Sequence, residues 1–160
     1  MNPRILGIGT ANPPNRFSQQ EIYELATKHY DFYRTPRIQQ IFMNSDIEYR
    51  HFYIDREGFL PFESADELHR RYEKGAVEIS LDAIERCLED ANVDVGEIHE
   101  LVAVSCTGYL CPGLSSLLIK ELGLRRDVQR ADLLGMGCAG AMPGLQRAYD
   151  FVKAYPEKKA

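Results

Sequence analysis

The 160 residues include no tryptophan, and no apolar run approaches the ~18 residues that a membrane span needs. The first 20 residues carry Arg4, Arg16 and three prolines but no long apolar stretch. No signal peptide is read there, and a cytoplasmic location follows by default. No C-x-x-C pair occurs among the four cysteines, Cys87, Cys106, Cys111 and Cys138. A structural zinc site and a redox dithiol therefore lack their usual signature, no metal is expected, and the thiols are read as free. Positive charge is also short. Lys and Arg number 19 against 24 Asp and Glu, a net charge of −5. That argues against broad nucleic-acid binding, which wants a basic face. It leaves room for an anionic ligand, because a helix N-terminus can hold phosphate on an acidic protein.

What is present is an ordinary globular composition, 44% hydrophobic and 27% charged, in a length sufficient for one domain with a core. No repeat, low-complexity run or interdomain linker interrupts it. The run R-I-L-G-I-G at 4–9 predicts a short buried strand, stopped by N-P-P-N at 12–15. Ser18 and Glu21 have capping-box spacing and open a helix to about Lys28. Pro36 opens a short helix to Met43, and 47–54 reads as a strand rich in Tyr, Phe and Ile. Ser64 and Glu67 form a second capping-box pattern, followed by the longest predicted helix, to about Asp90. Its apolar stripe is Leu68, Tyr72, Ala76, Ile79, Ala83, Cys87 and Leu88.

The run 101–106 is continuously apolar, the mark of a strand buried on both faces. A helix over 114–122 follows, ended by Gly123. A further strand is expected at 128–134 and a last helix at 142–154. The alternation of helix and strand predicts an α/β fold, a mostly parallel sheet with helices on its faces. Tyr155-Pro156 and the charges after them read as a loop feeding a strand that the 160 residues do not include.

The strongest chemical signal is G-M-G-C-A-G at 135–140, between the last strand and the last helix. A cysteine at a helix start sits near the positive end of the macrodipole, where an anionic sulfur is favoured. Gly135, Gly137 and Gly140 permit a sharp turn and close approach of a substrate to the backbone. An exposed nucleophile with N–H donors beside it is what a covalent acyl carrier requires. The plainer alternative is a small buried cysteine in a tight joint, the common fate of a free thiol. His29, His51, His69 and His99 are read as surface histidines. Asp66, Glu67, Glu89, Asp90, Glu97 and Glu100 are read as capping and solvated-face charges.

The G-M-G-C-A-G segment, with Arg147 and Tyr149 in the following helix, resembles the active-site segment of type III polyketide synthases, the chalcone synthase-like family of the thiolase superfamily. The likeness covers most of the chain. I-L-G-I-G-T-A-N-P at 5–13 resembles the family's opening strand, S-D-I-E-Y-R-H-F-Y at 45–53 its S-x-I-x-x-R-x-x-Y segment, and V-S-C-T-G-Y-L-C-P-G at 104–113 its pocket-lining loop. The loop wording is similar to that of bacterial members making dihydroxyphenylacetyl-type or tetrahydroxynaphthalene-type products.

The resemblance implies the N-terminal half of a thiolase-like fold that works as a homodimer. Cys138 takes a starter acyl group from coenzyme A. Malonyl-CoA then loses carbon dioxide and attacks the thioester. No cofactor is permanently bound, since the coenzyme A thioesters are substrates. The family's catalytic histidine and asparagine fall beyond residue 160. Cys106, Thr107 and Cys111 fall at the pocket-lining loop, Cys111 where a residue reaches the partner subunit's cavity. Of the family's basic positions for coenzyme A phosphates, counted back from Ser45 onto Arg37, Gln40 and Asn44, only Arg37 is basic. The alternatives are a ketoacyl synthase III-like initiator of fatty-acid synthesis and a non-catalytic half that needs a partner.

Overall fold

A computed structural model of the chain describes residues 2–54 and 63–160. These fall into two units, Asn12–Ser64 and Ala65–Ala160 with the N-terminal segment up to Ala11.

The smaller unit comprises β1 (Asn15–Ser18), α1 (Gln19–His29), α2 (Pro36–Met43) and β2 (Tyr49–Phe52). The strands pair antiparallel, Asn15 opposite Phe52 and Ser18 opposite Tyr49. The predicted capping box is made in full: the Ser18 hydroxyl accepts from the Glu21 amide at 3.1 Å, and the Glu21 carboxylate accepts from the Ser18 amide at 2.7 Å. Pro36 opens α2, where its missing N–H costs nothing. The buried Gln19 side chain ties the unit together. Its amide donates to Phe42 O at 3.0 Å and Ser45 Oγ at 2.9 Å, and its oxygen accepts from Arg50 Nε at 2.8 Å.

The larger unit comprises α3 (Ala65–Ala91), β3 (Glu100–Ser105), α4 (Leu114–Leu122), β4 (Gln129–Leu134) and α5 (Ala141–Ala154). β3 and β4 run parallel, Glu100 opposite Gln129 and Ser105 opposite Leu134. Parallel neighbours need a crossover, which α4 supplies. α4 stops at Gly123, whose φ of 63° is the left-handed cap expected from the sequence.

Side chains alternate across a strand, so β3 addresses two layers. Leu101 and Ala103 join the core with Leu110, Leu114 and Leu118, backed by Tyr72, Ala76 and Leu81 of α3. Glu100 and Val104 meet α5, through Arg147 and through Gly140 and Gly144.

Three expectations are corrected. The segment 4–9 is not a buried strand, since Ile5 and Ile8 are 70% and 68% exposed. It lies along the last turns of α3: the Ile8 amide donates to Asp90 Oδ2 at 3.0 Å, Arg86 donates to Thr10 O at 2.6 Å, and the Cys87 thiol donates to Gly7 O at 3.4 Å. Among the described residues no strand pairs with it, and a segment packed on one side only leaves its apolar side chains in solvent. The apolar stripe of α3 is likewise divided. Tyr72 and Ala76 meet the core, Ala83 and Cys87 meet the 7–9 segment, and Leu68 is exposed. β3 itself is not fully buried on both faces, because Val104 stays exposed. Lys159 forms a parallel bridge with Ile98, just before β3.

Candidate active site

The parallel register sets the site. Ser105 and Leu134 are the last paired residues of β3 and β4, so Cys106 and Gly135 leave the same end of the sheet. The loop from Cys106 to Gly113 and the turn from Gly135 to Gly140 therefore rise side by side. This is the carboxyl end of parallel strands, where open α/β sheets bind ligands.

Cys138 is the second residue of a single 3-10 turn, Gly137–Gly140, which runs straight into α5. Gly135 and Gly137 have φ of 74° and 59°, conformations that residues with a side chain adopt only with strain. They lift the chain off β4 and turn it back into the helix. Cys138 is exposed, which removes the reading as a buried packing cysteine.

Cys106, Thr107 and Cys111 are exposed on the facing loop, as is Tyr109, at 71%. The Cys111–Pro112 peptide is cis. Both ends of this loop are fastened. At its start the Tyr72 hydroxyl and Ser105 Oγ lie 2.6 Å apart, with the Tyr72 ring against Gly108. At its end Asp132 of β4 accepts from the Ser115 amide at 3.0 Å and bonds the buried Ser115 hydroxyl. That carboxylate caps the first turn of α4 from across the sheet. Tyr72, Tyr109 and Asp132 escaped the sequence reading. Only the position of Asp132 beside the apolar end of β4, between Ala131 and Leu133, marked it as unusual.

Arg37 belongs to the other unit, where it is exposed at the second position of α2. All four cysteines are free, Cys87 half-buried and the other three exposed. Among the described residues no three His, Cys, Asp or Glu side chains are grouped to hold a metal ion, and no helix is long and apolar enough to cross a membrane.

Glu100 departs most from its sequence reading. It is buried, not a solvated charge: Oε1 accepts from Arg147 Nε at 2.9 Å, and Oε2 has no partner among the described residues. Burial pushes its carboxyl above the usual carboxylate range, against the pull of Arg147. His99 is not a plain surface residue either. Its Nε2 lies 2.7 Å from Arg125 Nη1, and its Nδ1 is buried.

A parallel strand pair with helices on both faces, and an exposed cysteine in the glycine turn between strand and helix, fit the N-terminal half of a thiolase-like fold, the fold of the solved structures it superposes on. The chain belongs to the chalcone and stilbene synthase family, whose N-terminal domain matches residues 2–158. A 3,5-dihydroxyphenylacetyl-CoA synthase of Streptomyces toyocaensis is 35% identical over 162 residues, 99% of this chain and 40% of that protein. PKS-I of the brown alga Ectocarpus siliculosus superposes with a TM-score of 0.81 at 34% identity, over 96% of this chain and 45% of its own. The 1,3,6,8-tetrahydroxynaphthalene synthase of Streptomyces coelicolor A3(2), a bacterial type III polyketide synthase, superposes with a TM-score of 0.83 at 26% identity, over 95% and 45%. The chain thus spans about 40% of the length of the curated relatives it matches.

Proposed function

We propose that this chain carries the nucleophile of a decarboxylating condensing enzyme that builds a polyketide from a starter acyl-CoA and malonyl-CoA. The observation that carries the reading is the exposed Cys138 in the Gly137–Gly140 turn at the start of α5. The Cys138 sulfur attacks the thioester carbonyl of the starter. A new carbon–sulfur bond forms, the coenzyme A thiolate leaves, and the acyl group stays on the cysteine. N–H groups of the turn and of the first turn of α5 are the donors at hand for the oxyanion. Malonyl-CoA then loses carbon dioxide, and the resulting carbanion attacks the acyl-cysteine carbonyl. The cysteine thiolate departs, leaving a chain longer by two carbons on coenzyme A.

In this reading Cys106, Thr107 and Cys111 line the acyl pocket, and Arg37 meets a coenzyme A phosphate. The protein is cytoplasmic and works as a homodimer, and no cofactor stays bound between turnovers. Residues 1–160 are the N-terminal half of a longer condensing enzyme. The catalytic histidine and asparagine implied by the family lie outside them. Alone, these residues carry no condensation.

The test is to incubate the complete enzyme with a labelled, chain-terminating acyl-CoA and digest it. Label on the Cys138 peptide is expected, and label on Cys106 or Cys111 with none on Cys138 overturns the assignment. Malonyl-CoA should be consumed without an acyl carrier protein. Activity only with a carrier would point instead to the ketoacyl synthase III-like initiator.

A further inference from the structure

We propose that Glu100 and Arg147 are positioning residues for Cys138, a buried clamp that seats α5 on β3 and so sets where the helix start presents the sulfur. The inference rests on the reading of Cys138 as the acyl-accepting nucleophile, and it assigns the distant residues on which that geometry depends.

The Cys138 turn is packed at its last residue only: Gly137 to Ala139 are exposed, and Gly140 is buried against Val104. The turn is largely exposed, and α5 has no side-chain cap. Its geometry therefore follows Gly140 and the helix it opens. α5 in turn meets β3 at Glu100 and Val104, from one face of the strand, and buries Phe151 on a later turn.

The first contact is apolar. A β-carbon built on Gly140 would lie 2.8 Å from one methyl of Val104, and one on Gly144 would lie 2.7 Å from the other. Val104 therefore fits the notch that these two glycines leave on one side of the helix. This contact sets how closely the start of α5 approaches the sheet, and it lies at one end of the helix.

The second contact is polar and lies further along the helix. Arg147 comes three residues after Gly144, on the neighbouring turn, and Glu100 lies four residues before Val104 on the strand. Their Nε–Oε1 bond is 2.9 Å. The Glu100 side chain is 0% exposed and that of Arg147 50%. A buried carboxylate is costly unless paired, so the guanidinium cannot move away without stranding it. The bond therefore has a strong restoring force, unlike an exposed ion pair. With Val104 at the helix start and Phe151 buried beyond it, the bond fixes α5 at an intermediate height. Glu100 Oε2, buried and unpartnered among the described residues, marks how far this site accepts a polar cost. Retaining a carboxylate there is reasonable if the return is orientation, not stability.

The experiment uses the four thiols as reporters. In the full chain, each cysteine is alkylated with iodoacetamide under native conditions and its rate read from peptide mass spectra. Cys106 and Cys111 are internal references, because their loop is fastened by Tyr72 and Asp132. Cys87, half-buried against the Gly7 carbonyl, reports general loosening.

Arg147→Ala should lower the rate of Cys138 relative to Cys106 on the order of tenfold, because the reactivity of a thiol follows its exposure and its place at the helix start. Cys87 should not change. Arg147→Lys, which keeps the charge, should recover part of the loss, and Glu100→Gln, which keeps an oxygen for the Arg147 donor but not the buried charge, should fall between wild type and Arg147→Ala. A Cys138-to-Cys106 ratio unchanged in Arg147→Ala, or one that moves only together with Cys87, overturns the clamp. If Arg147→Ala does not fold, the same ratio in Arg147→Lys decides, with no change counting against it. Acyl labelling separates the two ideas. A wild-type Cys138 that takes no acyl group from an acyl-CoA removes the proposed function. An unchanged alkylation ratio removes the clamp and leaves that function standing.

Discussion

The two ends of the β3–β4 pair are built from opposite materials. At the carboxyl end, the loop and the glycine turn present three exposed thiols, Tyr109 and Met136. At the amino end the chain is tied by charge. Arg125 grips Asp127 through two bonds of 2.6 and 2.9 Å and reaches His99 at 2.7 Å. Lys159 pairs with Glu97 at 2.5 Å, and its carbonyl accepts from the His99 amide at 2.9 Å. The hydrogen bond from Lys159 holds the Glu97 carboxyl below the usual range, and the one from Arg125 does the same for Asp127. Charged groups at the amino end are thus spent on one another, while the thiols and Tyr109 at the carboxyl end stay open to a ligand. Parallel strands make such a division natural, because all of their carboxyl ends emerge on one side.

The comparison breaks most visibly at Cys138. Cys138→Ala in the complete enzyme should abolish product while shifting stability by less than about 1 kcal/mol, because an exposed side chain supports little packing. Product formation and a thermal melt on the same preparation check both halves of that statement.

The next largest effect belongs to Asp132, which serves the open end from inside the sheet. Asp132→Ala uncaps α4 and strands the buried Ser115 hydroxyl, at a cost of about 1–3 kcal/mol. Urea unfolding should show it as a lower midpoint with an unchanged slope. Gly137→Ala should follow, at about 1–2 kcal/mol, since φ of 59° strains any residue with a β-carbon. Its thiol accessibility should change along with the turn, whereas Asp132→Ala should alter the loop cysteines more than Cys138.

The smallest effect is a pH dependence that contrasts Glu97 with Glu100. The folded value of Glu97 is lowered, so its contribution is present above the ordinary glutamate value of about 4.3 and fades as pH falls through the lowered one. The folded value of Glu100 is raised, so its sign is reversed. Stability falls as pH rises from about 4.3 through the raised value, because the buried carboxyl must then ionise. Glu100→Gln should flatten that second limb and leave the acid limb in place. Thermal midpoints between about pH 3 and 7 would show it, spanning the ordinary carboxylate values. A wild-type profile without the second limb would mean that Arg147 fully offsets the burial.

Much of the fold was legible because its signals are local. Ser18 with Glu21, Pro36 and Gly123 each act within one helical turn, and each does in the structure what its chemistry predicts. The turn around Cys138 was legible for the same reason, since two positive φ angles need glycine at those positions. The misreadings all involve partners far along the chain. An apolar run such as 4–9 is the same text whether a strand pairs with it or a helix carries it on one side. Glu100 looked like one more charge in an acidic stretch, because Arg147 stands 47 residues away. Tyr72 and Ser105 are 33 residues apart, and Ser115 and Asp132 are 17.

The sequence by itself determined the helices, the order of β3, α4, β4 and α5, the glycine turn and the cysteine in it, because backbone preference and periodicity are properties of neighbours. Only the tertiary structure decided which charges are buried, which loop faces Cys138 and what holds α5 in place. Those outcomes depend on desolvation and on contacts between distant residues. A carboxylate costs little in water and much in a closed layer, and nothing in the letters around Glu100 says in which of the two it will lie.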